Sequence, residues 1–224
     1  MFSLGIFGGT FDPVHQGHIQ MAHELQQKLQ LDQLNLMPCG QPAHRSAPVA
    51  NAEHRLAMTH LAVADFESLG VDAHEVEHNG PSYTVETLKR LRGDWTAKND
   101  EPLQLFWLVG MDSLVNLASW HAWRELFELA NLIVVARPGW QLPKTGDVAE
   151  VLASRVQPLE HARLMPCGAI TIVEQSLLPV SATDIRARLA QGLNEAEQNK
   201  QHLVPDLLCD SVWQYIQQQH LYRG

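Results

Sequence analysis

Several features are scarce in this chain, and each shortage excludes a class of protein. Only 3 of its 224 residues are cysteine, and Cys39, Cys167 and Cys209 form no C-x-x-C pair, so reduced thiols are expected rather than a disulfide framework. Lysine and arginine number 16 against 25 aspartates and glutamates, a formal net charge of −9, which argues against nucleic acid as a partner. No apolar run approaches the roughly 20 residues of a membrane span, and the first residues lack a basic, hydrophobic signal sequence. The composition therefore predicts a cytoplasmic protein with no membrane partner.

Motifs of several common enzyme classes are also missing. The chain contains neither G-x-x-x-x-G-K-[ST] nor G-x-S-x-G, which removes support for a P-loop NTPase or an α/β-hydrolase. The stretch from His74 to His78 matches H-E-x-x-H, but zinc proteases need that motif on a helix, where residues four apart share a face. Val71, Ala73 and the Asn-Gly-Pro that follows favour a strand running into a turn, which would separate the two imidazoles by about 13 Å. No metal ligands are predicted.

Apolar runs alternate with helical patterns along the chain. The apolar runs predict strands at 2–7, 33–37, 104–109, 131–136 and 169–173. Apolar residues at helical spacing predict helices at 17–29, 53–66 and 205–219, and a further helix from Ser181 through Leu189. This alternation predicts an α/β fold, a doubly wound parallel sheet whose ligand lies beyond the carboxyl ends of the strands. With 45% apolar and 18% charged residues, we expect residues 1–224 to form one domain with a helical C-terminal portion from about 181.

The segment from Gly8 to His18 is the most informative stretch. It reads Gly-Gly-Thr-Phe-Asp-Pro-Val-His-Gln-Gly-His and directly follows the first predicted strand. Gly8 and Gly9 can take positive φ and expose bare N–H groups, so an anion could approach this turn, and the next helix would add the positive end of its dipole. If His18 opens that helix and His15 lies just before it, both imidazoles face one point and can donate hydrogen bonds to a phosphate. Two histidines that merely cap a helix or fill a polar gap are the alternative.

A second cluster of phosphate-binding residue types begins another helix. Pro-Val-Ser-Ala-Thr-Asp-Ile-Arg, at 179–186, follows the last predicted strand. Ser181 is a natural N-cap with Asp184 at the N3 position. The hydroxyls of Ser181 and Thr183, together with the Arg186 guanidinium, could clamp a polyphosphate. Taken by itself, the segment is also an ordinary capped helix.

Both segments resemble signatures of one enzyme superfamily. The first resembles the motif of the nucleotidyltransferases that carry T/H-x-G-H, and the second resembles their C-terminal Ile-Ser-Ser-Thr-x-Ile-Arg motif, with Val180 for the first Ile and Ala182 for the second Ser. Ala182 removes one hydroxyl donor. The resemblance implies a Rossmann-like nucleotidyltransferase fold, catalytic roles for His15 and His18, and ATP as a substrate. The residues that it implies in ATP binding are Gly8, Gly9, Thr10, Phe11, Arg137 of an Arg-Pro-Gly turn, Ser181, Thr183 and Arg186.

The middle of the chain is similar to one member of that superfamily, the nicotinate-nucleotide adenylyltransferase family, and the similarity runs nearly end to end. The matching pieces are a Pro-rich loop that ends in His-Arg where the family has His-Lys, a Ser-Tyr-Thr segment, and a Gly-x-Asp followed by a tryptophan. They imply acceptor-binding roles for His44, Arg45, Tyr83, Thr84, Asp112 and Trp120. Because an indole can cover the flat face of a pyridine ring, Trp120 is expected to stack on nicotinate, and the amides near Tyr83 and Thr84 to receive its carboxylate. Trp123 is expected to pack in the core.

The implied reaction is attack by the phosphate of nicotinate mononucleotide on the α-phosphorus of ATP, which gives nicotinate adenine dinucleotide and pyrophosphate in NAD biosynthesis. A phosphate monoester is mostly dianionic at pH 7, so no protein nucleophile is needed, and catalysis would depend on alignment and charge neutralisation. Mg²⁺ is expected to be held mainly by the ATP phosphates and water. The alternative acceptors are nicotinamide mononucleotide and phosphopantetheine, and a non-catalytic nucleotide-binding regulator is the alternative outside this class. A homo-oligomer is compatible with the sequence.

Overall fold

A computed structural model describes residues 1–40, 47–78, 83–136, 139–175, 180–195 and 207–223. The strands in this part of the chain are β1 (Phe2–Gly9), β2 (Gln33–Pro38), β3 (Leu69–Val71), β4 (Leu103–Gly110), β5 (Asn131–Ala136) and β6 (Ile170–Glu174). The α-helices are α1 (Gln16–Leu29), α2 (Ala52–Val63), α3 (His74–Glu77), α4 (Thr84–Lys98), α5 (Met111–Val115), α6 (Leu126–Leu129), α7 (Asp147–Arg155), α8 (Leu159–Ala162), α9 (Ala182–Glu195) and α10 (Asp210–Gln218). Two short 3-10 helices cover Leu117–Ser119 and Trp123–Glu125.

The six strands form one parallel sheet in the order β3-β2-β1-β4-β5-β6. Phe7 of β1 lies opposite Leu108 of β4, and Val109 of β4 lies opposite Val134 of β5. Because successive parallel strands need crossover connections, helices lie between them along the chain. The predicted α/β class with a doubly wound parallel sheet is confirmed, and the five predicted strands are present within one or two residues at each end.

Two predictions of local structure are wrong. The helix predicted at 205–219 begins only at Asp210 within the described residues, and the strand expected to continue past Val71 ends there, as the three-residue β3. The segment that begins at His74 is a helical turn and not a strand, and the His74 and His78 ring centroids lie only 3.7 Å apart. The prediction that a strand keeps these two imidazoles about 13 Å apart is therefore wrong. Within the described residues, however, no group of three or more His, Cys, Asp or Glu side chains is arranged to hold a metal ion.

The chain divides into two compact units. The first comprises the described residues of 1–8, 25–35 and 82–176, and the second those of 9–24, 36–81 and 177–224. In the first unit β5 is buried along its whole length and β4 along all but Gly110, which is why both strands are continuous apolar runs. Two buried amides interrupt them: Gln104 and Asn131 both donate to the carbonyl of Met165, at 2.5 and 2.8 Å.

In the second unit, α10 packs on α2. His54 Nδ1 lies 2.9 Å from the Tyr215 hydroxyl, and Ser211 Oγ donates to the carbonyl of Leu61 over 3.3 Å. Met58 and Val212 are fully buried. No helix of the described segments is long and apolar enough to cross a bilayer.

Candidate active site

The loop between β1 and α1 is shaped by Phe11 and not by glycine conformations. Contrary to expectation, neither Gly8 nor Gly9 has a positive φ; the residue that does is Phe11, at +50°. The Phe11 ring turns back over Gly9, where an added Cβ would lie 2.7 Å from it, so a close approach requires this glycine. Phe11 is 2% exposed, and a buried ring at a left-handed backbone position carries strain of the kind that collects at functional sites.

His15 and His18 lie against each other where α1 begins. Their ring centroids are 3.6 Å apart and their planes meet at 19°, and the Phe11 ring stands edge-on to His18 at 5.0 Å. The backbone N–H of His15 donates to Nδ1 of His18 over 3.3 Å, so the neutral His18 ring carries its proton on Nε2. The structure thus brings the two imidazoles together, and His18 carries an N–H donor.

Burial keeps both imidazoles neutral in the free protein. Loss of solvation lowers the pKa of His15 to about 4. The pKa of His18 also lies well below its ordinary value, first because of burial and second because of repulsion from His15. Nδ1 of His15 is buried with no hydrogen-bond partner among the described atoms. A neutral pair of this kind can take up a proton when an anion arrives, since a nearby negative charge raises the pKa of imidazole.

The start of α9 lies against the start of α1. A Cβ on Gly17 would lie 2.8 Å from Cγ1 of Val180. Arg186 Nη1 donates to the backbone carbonyl of Asp12 over 2.6 Å, and the same nitrogen is 3.7 Å from Asp12 Oδ2. Two helix N-termini and a guanidinium therefore border the loop that carries His15, an arrangement that attracts polyphosphate.

Ser181 and Thr183 are engaged within their own helical turn. Ser181 Oγ accepts from the Asp184 N–H over 3.1 Å and donates to Asp184 Oδ2 over 2.7 Å, as predicted for an N-cap with an acidic N3 residue. Thr183 Oγ1 accepts from Arg186 Nη2 over 3.4 Å. A phosphate contact from the Ser181 hydroxyl proton would have to replace its bond to Asp184.

The carboxylate of Asp12 joins three segments of the second unit. Its Oδ2 accepts from the Val49 N–H over 2.8 Å. Its Oδ1 accepts from the Ala50 N–H over 3.0 Å and from the Tyr222 hydroxyl over 2.8 Å. Asp12 is 5% exposed. This carboxylate therefore fixes the histidine loop to the segment before α2 and to the C-terminal residues.

Arg55 is a buried cation that holds backbone carbonyls. It is 1% exposed, and its guanidinium donates to the carbonyl oxygens of Thr10 at 2.8 Å, Gly40 at 2.9 Å and Ala50 at 3.2 Å. The Thr10 carbonyl belongs to the loop that precedes the histidines. Arg55 thus anchors that loop to α2 and to the end of β2.

The acceptor candidates that are described lie in the first unit. Tyr83 and Thr84 stand at the start of α4, where Tyr83 makes no side-chain cap to the helix N–H groups and its ring lies 4.7 Å from that of His121. Asp112 is exposed in the first turn of α5, and Trp120 is half-buried after the first 3-10 helix. Trp123 is 7% exposed, which confirms its predicted core role.

Three predicted contacts, His44, Arg45 and Arg137, lie outside the described residues. Conversely, the sequence assigned no role to Asp12, Arg55 or Tyr222. The sequence pattern of α2 could have revealed Arg55, because this residue lies on the same helix face as Met58 and Ala62. A charged side chain on a buried face is costly unless it is fully hydrogen-bonded. Nothing local marks Tyr222, whose partner is 210 residues away.

The chain is similar to known proteins along nearly its whole length. A family model described as cytidylyltransferase-like matches residues 6–188. A protein of Cellvibrio japonicus named probable nicotinate-nucleotide adenylyltransferase is 46% identical over 221 residues, which are 99% of each chain. The chain belongs to the nicotinate-nucleotide adenylyltransferase family. Family members so named from Pseudomonas paraeruginosa and Aeromonas hydrophila are 42% and 41% identical, over 99% and 98% of this chain and 97% of theirs.

Solved structures show the same fold. A Plasmodium falciparum nicotinic acid mononucleotide adenylyltransferase complexed with NaAD superposes with a TM-score of 0.68 at 14% identity, covering 99% of this chain and 98% of that one. A putative nicotinate-nucleotide adenylyltransferase from Vibrio parahaemolyticus gives a TM-score of 0.62 at 14% identity, over 100% and 97%. At this identity the likeness concerns the fold, which is the one that the family assignment implies.

Proposed function

We propose that the protein transfers the adenylyl group of ATP to nicotinate mononucleotide. The observation that carries this proposal is the stacked pair of His15 and His18 in a loop bordered by Arg186 and two helix N-termini, within a chain of this family. A phosphate oxygen of nicotinate mononucleotide forms a bond to the α-phosphorus of ATP. The bond from that phosphorus to the β-bridging oxygen breaks, and pyrophosphate leaves with the electron pair.

The described residues supply alignment and charge neutralisation. Repulsion between two anionic substrates is the main obstacle, and fixed donors that face the developing charge lower it without reorganisation. His18 Nε2–H, the Arg186 guanidinium and the first-turn N–H groups of α1 and α9 are such donors. Protonation of the imidazoles as the triphosphate binds adds positive charge where the leaving pyrophosphate gains negative charge.

Magnesium is expected at this site as a companion of ATP. Asp12 is the carboxylate of the loop, and both of its oxygens already accept hydrogen bonds from protein donors. The donor set matches Mg²⁺ bound by substrate phosphates and water, and such an ion would shield the charge of the β- and γ-phosphates. The protein groups then position the α-phosphate.

Nicotinate mononucleotide is the acceptor that the first unit favours. Trp120 offers an indole face for a pyridine ring, and the first turn of α4, which Tyr83 does not cap with its side chain, offers amides to a carboxylate. Exchange of that carboxylate for the neutral amide of nicotinamide would remove a charge-assisted contact.

Pyrophosphate release tests the proposal. ATP and Mg²⁺ are supplied with nicotinate mononucleotide, nicotinamide mononucleotide or phosphopantetheine, each in a separate reaction. We expect strong preference for the nicotinate form. Trp120→Ala should raise its KM about tenfold, whereas Trp140→Ala, which alters a tryptophan that is 49% exposed, should leave it unchanged. Turnover with another acceptor would reject the assignment of nicotinate mononucleotide as the acceptor. Absence of pyrophosphate release with all three acceptors would support a non-catalytic nucleotide-binding protein.

A further inference from the structure

The C-terminal residues return to the histidine loop after α10. His220 and Tyr222 both have positive φ, +55° and +60°, so the chain folds back on itself instead of continuing as a helix. Tyr222 is 7% exposed, and its hydroxyl donates to Asp12 Oδ1 over 2.8 Å. A residue near the end of the chain is thus inserted beside the centre of the proposed phosphate site.

The contact matters because Asp12 is an anion next to Arg186. Arg186 Nη1 is bonded to the Asp12 carbonyl at 2.6 Å and lies 3.7 Å from Asp12 Oδ2. A carboxylate and a guanidinium this close form a charge-assisted, bidentate pair when both can turn to each other. Such a pair would withdraw Arg186 from any bound phosphate. Val49 already donates to Oδ2, and Ala50 and Tyr222 donate to Oδ1, so these hydrogen bonds oppose that turn.

We propose that Tyr222 is a positioning residue that keeps the Asp12 carboxylate from closing its 3.7 Å contact with Arg186 into a bidentate hydrogen bond, and so keeps the guanidinium available to the pyrophosphate end of the substrate. This inference deepens the proposed function and rests on it. Burial first, and the neighbouring Asp12 second, raise the pKa of Tyr222, so its hydroxyl stays protonated and donates throughout the working pH range. The C-terminal segment acts on phosphate only through Asp12 and Arg186.

The direct test is binding of inorganic pyrophosphate to Tyr222→Phe, measured by calorimetry on the full chain. The change removes one hydroxyl and leaves the ring, and we expect binding to weaken roughly tenfold, as for the loss of one hydrogen bond to a charged group. In turnover assays KM for ATP should rise while KM for nicotinate mononucleotide stays the same. Tyr215→Phe is the matched control, because it removes another hydroxyl of the same segment, bonded to His54, and should not change pyrophosphate binding.

A double-mutant cycle with Arg186→Ala tests whether Tyr222 acts by positioning Arg186 or by a general loosening of the fold. If Tyr222 acts through Arg186, the loss of pyrophosphate affinity caused by Arg186→Ala is several-fold smaller in the Tyr222→Phe background than in the natural chain. Additive effects, or Tyr222→Phe that binds like the natural chain, would overturn the inference. A natural chain that does not bind pyrophosphate would instead overturn the proposed function.

A second variant covers the case in which Tyr222→Phe does not fold. Val49→Pro deletes the N–H that holds Asp12 Oδ2, while the Val49 side chain is 65% exposed and Pro48 already precedes it. It should weaken pyrophosphate binding with the same coupling to Arg186. A folded Val49→Pro chain with unchanged binding would count against the inference.

Discussion

At the scale of single residues, the two histidines combine low basicity with a defined donor. His18 is held with Nδ1 as an acceptor and Nε2 as the donor, and burial lowers the pKa of both rings. The donor therefore exists before any substrate binds and needs no reorganisation when charge develops.

Replacement of His18 by alanine should reduce turnover far more than acceptor binding. Loss of a single preorganised donor to developing charge lowers kcat by about 10²- to 10³-fold. Steady-state kinetics of pyrophosphate release should show this loss with little change in KM for nicotinate mononucleotide. His60→Ala, which alters an exposed histidine of α2, is the control, and equal activity of the two variants would reject the role of His18.

Substitution of two helical glycines by alanine separates the effect of helix propensity on stability from the effect of packing at the candidate site on activity. Gly17 lies in the first turn of α1, where a Cβ would come within 3.2 Å of the His15 ring and 2.8 Å of Val180. Gly93 lies within α4, where a Cβ would meet nothing within 4 Å. We expect Gly93→Ala to stabilise the protein by about 0.5–1 kcal/mol without changing activity. We expect Gly17→Ala to lower kcat, because the new methyl displaces His15. Thermal melts and kinetics on both variants check this, and a fully active Gly17→Ala would contradict the observed packing.

At the scale of elements, α2 supports the loop through one buried cation. Arg55 satisfies the carbonyls of Thr10, Gly40 and Ala50, which come from three separate turns. A helix that is amphipathic by pattern thus also anchors the residues that precede the histidines. Helix α10 packs on α2 through separate contacts, from Tyr215 to His54 and from Ser211 to Leu61.

Arg55→Leu should destabilise the chain and impair the site together. Each carbonyl left buried without a donor costs about 1–3 kcal/mol, so we expect a loss of roughly 3 kcal/mol or more and a fall in the melting temperature of about 6–12 °C for a chain of this length. Arg124→Leu is the comparison, since the Arg124 side chain is 61% exposed and pairs with Asp147, a surface pair worth about 0–1 kcal/mol. Similar melting temperatures for the two variants would show that the Arg55 bonds contribute little.

At the scale of the whole molecule, the buried imidazoles link stability to pH. The folded protein holds His15 with a pKa of about 4, whereas an unfolded chain has imidazoles near 6.5. The unfolded state therefore binds more protons between these values, and acid favours unfolding. The stabilisation is fully present above about pH 6.5 and is lost progressively as the pH falls towards 4.

Denaturant unfolding as a function of pH should show this dependence. We expect the free energy of unfolding to fall by about 3 kcal/mol from His15 alone between pH 6.5 and 4, with a further loss from His18. His15→Gln should make the slope shallower. Pyrophosphate should restore stability at pH 5, because it raises the imidazole pKa and binds only the folded state. An unchanged slope in His15→Gln would show that other groups govern acid unfolding.

Much of the fold was predictable because its signals are local. The strands of a buried parallel sheet are continuous apolar runs, and the helices between them carry capping and spacing patterns, so β1, β4, β5 and α1 were predicted within two residues. The failure lies where the local signal is weak: the strand expected past Val71 ends at that residue, and a single helical turn follows at His74 although its flanking residues favour extended structure.

The candidate site divides in the same way. The amino-acid sequence by itself determined the chemistry of the two phosphate motifs, because His15, His18 and Arg186 each lie in a short segment of recognisable composition. Only the tertiary structure decided that Phe11 and not the glycines takes the left-handed conformation, that Arg55 anchors Thr10, and that Tyr222 reaches Asp12. Arg55 and Thr10 are 45 positions apart in the sequence, and Tyr222 and Asp12 are 210 positions apart. Hydrogen bonds over such separations depend on how the elements pack, and no local pattern encodes that packing.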